Sequence, residues 1–126
     1  MKDYFILIVD DCPNSRTLLL NSLSHFDKNF ILAKNPESAI DILNRLDNIF
    51  AAVVDLHYDN SSLTGLDVLK KCSEKQIQSI LVTGDFIEDI GELGEIQSKS
   101  VKILEKPVNF DLFKSAISDI IKSINE

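Results

Sequence analysis

The sequence has few cysteines and no long apolar run. Its 126 residues include only two cysteines, Cys12 and Cys72, and their spacing fits no metal-binding motif. A disulfide framework is implausible in such a chain, which favours a reducing, cytoplasmic setting. The N-terminal apolar run, residues 5–9, ends directly in acidic residues. This run is too short for a signal peptide or a membrane span, and the acidic residues that follow it are unlike the flanks of either.

Basic residues are also scarce. The chain has 13 lysines and arginines against 20 aspartates and glutamates, a formal net charge of -7. Nucleic acids and anionic membranes both need basic surface to neutralise phosphates, so neither is an expected partner. Proteins and cations are better candidates. The 44% hydrophobic content of the 126 residues is sufficient for one core, which predicts a single domain spanning residues 1–126.

Apolar runs recur along the chain at regular intervals. They lie at residues 5–9, 30–33, 50–54, 80–83 and 101–104. Most are apolar at consecutive positions, as strands of a sheet covered on both faces are. The segments between them have helical periodicity. Strict alternation of strand and helix predicts an α/β fold, an open parallel sheet with right-handed crossovers and helices on both faces.

Two of the predicted helices have readable ends. The second is expected to begin after Asn35 as its N-cap and to include Leu46 in its apolar face. The last helix carries a broad apolar stripe that begins at Leu112, with Asn109 or Asp111 as its cap. This stripe is expected to pack on the sheet.

Polar residues interrupt the pattern where the predicted strands end. Asp10 and Asp11 follow the first strand, Asp55 the third, Thr83 closes the fourth and Lys106 follows the fifth. The carboxyl ends of strands in an open parallel sheet converge on one crevice, where ligands bind. The sequence therefore predicts one site with three carboxylates, a hydroxyl and an ammonium group.

The side chains of this predicted site suit two ligands at once. Carboxylate oxygens are the ligands that Mg²⁺ prefers, and a cation would offset the repulsion between Asp10 and Asp11. Lys106 and Thr83 offer a positive charge and a hydroxyl donor, which suit phosphoryl oxygens. Metal and lysine together supply the charge neutralisation that phosphoryl transfer needs, and an aspartate can itself be the nucleophile.

The chain resembles the receiver domains of bacterial two-component response regulators, in particular single-domain regulators like those of chemotaxis. The match rests on the acidic pair, the aspartate after the third strand, the threonine after the fourth and the Lys106–Pro107 pair, in the family's order. It covers the whole chain. The resemblance implies a flavodoxin-like sheet of five parallel strands in the order 2-1-3-4-5, and a cis Lys106–Pro107 bond.

The resemblance also implies a function and a role for each site residue. Asp55 would take a phosphoryl group from a phosphohistidine, on a sensor histidine kinase or a phosphotransfer protein. Thr83 and Lys106 would hold the phosphoryl oxygens. The implied ligands of Mg²⁺, with Mn²⁺ as an alternative ion, are Asp10, Asp11, Asp55 and the backbone carbonyl of His57. The outcome would be altered binding to an output protein, without turnover of a small molecule.

The chain departs from the family's usual pattern in two places. The loop between Asp55 and Gly65 is longer than usual and lacks a Met-Pro step. Ile103 stands where the family often has a switching tyrosine or phenylalanine, so the usual aromatic relay from Thr83 cannot operate. The change on phosphorylation is instead expected in the segment Ile87 to Gln97, whose glycines lower its helix propensity.

Other functions use similar residues. A phosphorylation-independent interaction domain with the receiver fold is favoured by Ile103 and the altered loop. A magnesium-dependent phosphohydrolase of the haloacid-dehalogenase type also uses Asp, Thr and Lys, but places its nucleophile in a D-x-D pattern where this chain has Asp10, Asp11 and Cys12. A flavodoxin-like FMN binder is disfavoured because this acidic loop would repel a phosphate.

Overall fold

The computed structural model describes residues 4–24, 29–58, 61–84 and 101–124. Within these ranges the strands are β1 (Phe5–Val9), β2 (Asn29–Ala33), β3 (Ile49–Asp55), β4 (Gln78–Thr83) and β5 (Val101–Glu105). The helices there are α1 (Pro13–Ser22), α2 (Pro36–Arg45), α3 (Gly65–Glu74) and α4 (Phe110–Ile124). The segment from Ile87 to Gln97 lies outside the described residues.

The five strands form one parallel sheet in the order β2-β1-β3-β4-β5. This confirms the predicted α/β class and the strand order that the resemblance implied. The chain moves outward from β1 on one side to β2 and on the other to β3, so the strand order reverses between β1 and β3. In such sheets the crevice lies at the carboxyl ends of these two strands.

Side chains of the strands alternate between two apolar layers. In β1, Leu7 and Val9 face a cluster that also contains residues of α2 and α3, the α2/α3 layer. Ile6 and Ile8 face the opposite cluster, which contains residues of α1 and α4, the α1/α4 layer. Both faces are covered, so consecutive strand positions are apolar. The prediction of helices on both faces is confirmed.

Side-chain caps fix the starts of α2 and α4. Asn35 Oδ1 accepts the N–H of Ser38 at 2.8 Å, as its predicted role as N-cap requires. At α4, Asn109 Oδ1 accepts the N–H groups of Asp111 and Leu112 at 3.0 and 3.1 Å. Asn109, and not Asp111, is therefore the cap of α4.

Two leucines predicted on apolar helix faces are exposed. Leu46 is 36% exposed, because α2 ends at Arg45 and the backbone at Leu46 is already extended. Leu112 is 58% exposed, whereas Phe113 next to it is fully buried. Adjacent residues of a helix point about 100° apart, and Leu112 lies outside the arc that buries Phe113, Ala116, Ile117 and Ile120. The buried face of α4 begins at Phe113.

A lysine connects the ends of two neighbouring helices. Lys75, the C-terminal cap of α3, donates from Nζ to the carbonyl oxygen of Leu43 and, at 2.9 Å, to that of Leu46. These carbonyls lie at the end of α2, where the helix itself supplies no partner. The contact joins α2 and α3 at one end of their shared layer.

The two cysteines are free thiols in different environments. Cys12 is exposed before α1, and Cys72 is buried in the α2/α3 layer. Burial raises the pKa of the Cys72 thiol from 9.0 to about 11. None of the described helices is both long enough and apolar enough to cross a membrane.

Candidate functional site

An ion pair joins the ends of two strands. Lys106 Nζ lies 2.7 Å from Asp55 Oδ2, with the aspartate side chain 12% exposed and the lysine 44% exposed. Asp55 is the last residue of β3, and Lys106 directly follows β5. The N–H of Lys106 donates to the carbonyl oxygen of Thr83 at 2.9 Å, which fixes the chain after β5 against the end of β4. The Lys106–Pro107 bond is cis, as the resemblance implied.

The acidic pair lies at the end of β1. Asp10 is only 3% exposed, and its Oδ1 accepts the N–H of Cys12 at 2.9 Å. Its own N–H donates to the carbonyl oxygen of Ala33 at 3.0 Å, which extends the contact between β1 and β2. Asp10 is thus fixed by backbone on both sides, and Asp11 next to it is partly exposed.

Three of the predicted residues share one cavity. Asp10, Asp55 and Lys106 form the polar end of a cavity of about 400 Å³ that lies on the side of the α1/α4 layer. The rest of its wall is Cys12, Ser15, Leu18, Leu19, Pro107, Val108 and Phe110. Residues separated by 45 positions or more in the chain therefore meet at one edge of the sheet, as parallel strand ends predict.

The other predicted residues lie near the cavity but do not line it. Thr83 closes β4 with its side chain buried, 1% exposed. His57 is exposed two residues after Asp55, and Asp11 lies beside Asp10. All three belong to the same row of strand ends. In the described part of the chain, however, the cavity wall is formed without them.

Tyr58 belongs to the site but was missed by the sequence interpretation. Its hydroxyl donates to the carbonyl oxygen of Val9 at 2.8 Å and accepts the N–H of Asp55 at 3.0 Å. The side chain is buried. Burial, followed by the negative charge of Asp55, raises the pKa of Tyr58 well above its usual value, so the hydroxyl keeps its proton. The sequence feature that could have pointed to Tyr58 is its position three residues after the predicted acceptor Asp55.

A glycine allows the loop after β3 to fold back on Asp55. The N–H of Gly65 donates to the carbonyl oxygen of Leu56 at 2.8 Å. A Cβ atom at position 65 would lie 2.1 Å from the carbonyl oxygen of Asp55, closer than real atoms approach. Only glycine fits there. The longer loop therefore returns to Asp55 at its far end.

The acidic side chains at this edge of the sheet have the donor atoms that Mg²⁺ prefers. Asp10 and Asp55 offer hard carboxylate oxygens at one edge of the sheet, beside Asp11, and water commonly completes the coordination of Mg²⁺. In the described ranges, no three His, Cys, Asp or Glu side chains are arranged to hold a metal ion. Asp55 Oδ2 instead contacts Lys106. The chemistry of these carboxylate donors fits Mg²⁺.

Comparison with solved structures identifies the fold. A signal receiver domain of a LuxO repressor protein from Vibrio parahaemolyticus has a TM-score of 0.81 and 19% identity, covering 97% of this chain and 92% of its own. A response regulator receiver protein from Pseudomonas putida has a TM-score of 0.78 and 21% identity, with coverages of 94% and 98%. A CheY-like receiver domain from Methanospirillum hungatei has a TM-score of 0.77 and 19% identity, covering 98% of both chains. The chain has the receiver-domain fold.

Sequence comparison gives a more distant likeness. No protein-family model matches the chain. A curated relative, the 3',5'-cyclic-nucleotide phosphodiesterase regA of Dictyostelium discoideum, is 28% identical over 127 aligned residues, which cover 94% of this chain. The chain spans only 15% of the length of that protein.

Proposed function

We propose that this chain is a phosphoacceptor receiver of two-component signalling. Asp55 takes a phosphoryl group from the phosphohistidine of a sensor histidine kinase or a phosphotransfer protein, in a reaction that depends on Mg²⁺. The phosphorylated form then binds an output protein differently. The receiver fold of the solved structures supports the signalling role, and the finer chemistry is our inference from the site.

One observation carries this proposal. Asp55 and Lys106 form a 2.7 Å ion pair at the polar end of a cavity that also contains Asp10. A carboxylate beside an ammonium group is stabilised as the charged form, and the charged form is the nucleophile. The lysine that now contacts Asp55 is within reach of any phosphoryl group that the aspartate acquires.

The transfer step exchanges one bond to phosphorus for another. One carboxylate oxygen of Asp55 forms the P–O bond as the P–N bond of the phosphohistidine breaks. The electron pair of the broken bond stays on the donor's imidazole nitrogen, which takes up a proton from solvent. Lys106 shifts from Asp55 Oδ2 to a phosphoryl oxygen, where its charge offsets the charge that develops in the transition state. Thr83 is proposed to donate its hydroxyl to a second phosphoryl oxygen.

The metal would be held by oxygen donors around Asp55. We assign its ligands to Asp10, Asp11, Asp55 and the backbone carbonyl of His57, with Mg²⁺ as the ion and Mn²⁺ as an alternative. When bound, the ion supplies positive charge to the phosphoryl oxygens and to the acidic pair. The chain's own contribution is to hold Asp10 in place through the N–H of Cys12.

The proposed function requires neither turnover of a small metabolite nor binding of nucleic acid. The protein's chemistry is limited to its own phosphorylation and dephosphorylation, so no turnover of a small metabolite is expected. The net charge of -7 disfavours direct binding of nucleic acid, and output is assigned to a protein partner. The two free cysteines suit a reducing compartment, and we propose that the protein acts in the cytoplasm.

The decisive experiment is covalent labelling. Incubation with Mg²⁺ and acetyl phosphate, or with a phosphorylated kinase, should add about 80 Da, with the stability in acid and lability in alkali of an acyl phosphate. Asp55→Asn should abolish the label, whereas Asp47→Asn, an exposed aspartate before β3, should retain it. Equal labelling of Asp55→Asn and the wild type would move the acceptor elsewhere.

A second candidate is an interaction domain that works without phosphorylation. It is favoured by the finding that the described acidic side chains are not arranged to hold a metal ion. Such a domain would bind its partner equally well as wild type and as Asp55→Asn, with and without Mg²⁺. A partner isolated with the wild-type protein and then titrated against both forms would distinguish the candidates.

A further inference from the structure

The backbone next to Asp55 is held from two sides by the loop that follows it. On one side the N–H of Asp55 donates to the hydroxyl of Tyr58 at 3.0 Å. On the other side Gly65 lies against the carbonyl group of Asp55, so closely that a Cβ atom would not fit. The acceptor's position therefore depends on contacts made three and ten residues further along the chain.

The same tyrosine hydroxyl reaches the strand that carries the acidic pair. It donates to the carbonyl oxygen of Val9 at 2.8 Å, across 49 positions of sequence. Val9 immediately precedes Asp10 and is paired with Val54, the residue before Asp55. The hydroxyl thus bonds to both strands where their pairing ends, to Val9 before Asp10 and to Asp55 itself.

The direction of the backbone groups explains why one hydroxyl can serve both strands. In a strand, the C=O group of one residue and the N–H group of the next residue point to opposite neighbouring strands. The N–H of Asp10 donates to Ala33 in β2, so the carbonyl of Val9 points towards β3. The N–H of Asp55 points back towards β1 and to the same hydroxyl. Both groups are at the edge of the sheet, where the ladder ends.

We infer that Tyr58 is a positioning residue, whose buried hydroxyl ties the end of β1 to the end of β3 and so sets the spacing of Asp10 from Asp55. Tyr58 acts from the opposite face of the sheet, because it packs in the α2/α3 layer whereas the cavity lies on the α1/α4 side. The effect of Tyr58 on Mg²⁺ binding rests on the proposed function. The hydrogen bond of Tyr58 to the backbone of Asp55 does not depend on that function.

The test removes only the hydroxyl. In Tyr58→Phe, without metal or phosphodonor, the amide hydrogen of Asp55 should exchange roughly 2- to 10-fold faster, as expected when one ordinary hydrogen bond is lost. The affinity for Mg²⁺, followed by NMR titration, should weaken by a similar factor. Tyr4→Phe, at a tyrosine that is 40% exposed, should change neither quantity.

A second variant separates positioning from a general loss of stability. Ile77→Val trims a buried side chain of the same α2/α3 layer, at the end of β4 remote from the strand carboxyl ends. It should lower the free energy of unfolding and leave the Mg²⁺ affinity unchanged. If Ile77→Val weakened Mg²⁺ binding as much as Tyr58→Phe, the tyrosine would be acting only through stability, and the inference would be wrong.

The remaining outcomes are also decisive. If the amide hydrogen of Asp55 exchanged at the same rate in Tyr58→Phe and the wild type, the Tyr58 hydroxyl would not hold the backbone of Asp55, and the inference would be wrong. Faster exchange with unchanged Mg²⁺ affinity would show that the tie does not set the spacing of the carboxylates, which also overturns the inference. Failure of the wild-type protein to bind Mg²⁺ would count against the proposed function, and the exchange rate of Asp55 would still decide the role of Tyr58.

Discussion

Lys106 and Asp55 are 51 positions apart in the chain, and their side chains meet at 2.7 Å. The pair is formed by the sheet, because β3 and β5 each lie beside β4 and end at the same edge. A partner this close makes the ammonium group of the lysine a competitor for any cation that binds at Asp55.

Replacement of the lysine should therefore separate catalysis from metal binding. Lys106→Met is expected to slow labelling by acetyl phosphate roughly tenfold or more, because charge on the phosphoryl oxygens is no longer offset. Mg²⁺ should bind at least as tightly as to the wild type, because Asp55 loses its competing partner. Because the lysine is 44% exposed, the free energy of unfolding should fall by less than about 1 kcal/mol.

Lys102→Met is the matched control, because Lys102 pairs with Asp119 at 3.3 Å on the exposed surface. It should leave labelling and Mg²⁺ affinity unchanged. A parallel loss of Mg²⁺ affinity and labelling in Lys106→Met would contradict the competition between lysine and cation.

Neutralising the acidic pair should have opposite effects on metal binding and stability. Asp10→Asn keeps an oxygen that can accept the N–H of Cys12 but removes one charge from the site. Mg²⁺ affinity should fall roughly tenfold or more, and Asp11→Asn should behave similarly. Without Mg²⁺ the variants should be at least as stable as the wild type, because repulsion between neighbouring carboxylates is relieved.

The measurement combines NMR titration with Mg²⁺ and urea unfolding in its absence. Asp41→Asn, on an exposed position of α2, controls for the removal of a negative charge anywhere on the protein. Equal Mg²⁺ affinity in the wild type and both site variants would exclude the acidic pair from the metal site.

The two glycines near the site should respond differently to a methyl group. In Gly65→Ala the added Cβ would lie 2.1 Å from the carbonyl oxygen of Asp55, so the loop or β3 must move. The free energy of unfolding should fall by about 2 kcal/mol or more. Gly84→Ala places its methyl where, among the described residues and apart from its chain neighbours, no atom lies within 4 Å, and it should change stability by less than about 1 kcal/mol. Equal urea midpoints for the two variants would contradict this contact.

Stability at alkaline pH should depend on Cys72. Burial raises the pKa of this thiol to about 11 in the folded protein from 9.0, so below pH 9 it is protonated in both states. Between about pH 9 and pH 11 the unfolded chain loses the proton first. The free energy of unfolding should therefore decrease as pH rises through this window, by no more than about 3 kcal/mol from this group.

Urea unfolding at several pH values isolates the contribution of the thiol. Cys72→Ala should be less stable than the wild type at pH 8 but should lose less stability between pH 9 and pH 11. Cys12→Ala, at the exposed cysteine, should retain the wild-type dependence. The prediction fails if Cys72→Ala and the wild type lose stability in parallel.

The sheet and the ends of its strands were predictable because they depend on short-range patterns. Apolar runs define buried strands, and a polar residue at a run's end marks the edge of the sheet, which placed Asp10, Asp55 and Lys106 correctly. Tyr58 was not predictable in the same way. Its role depends on a turn that returns its hydroxyl to two strands at once, and no local pattern encodes that geometry. Leu112 was misassigned because it lies outside the arc of the helix that buries Phe113, Ala116, Ile117 and Ile120.

The sheet also divides the interior into two compartments. The cavity beside Asp55 is built on the α1/α4 layer, whereas Cys72, Val68 and Leu43 belong to the α2/α3 layer. Substitutions on opposite sides of the sheet share few neighbours, so their energetic effects should be close to additive. Tyr58 and Gly65 aside, the stability of the fold can thus be changed through α2 and α3 while the walls of the cavity are left intact. In a chain of this size, most of the contacts that determine tolerance to mutation are thus separate from those that shape the cavity.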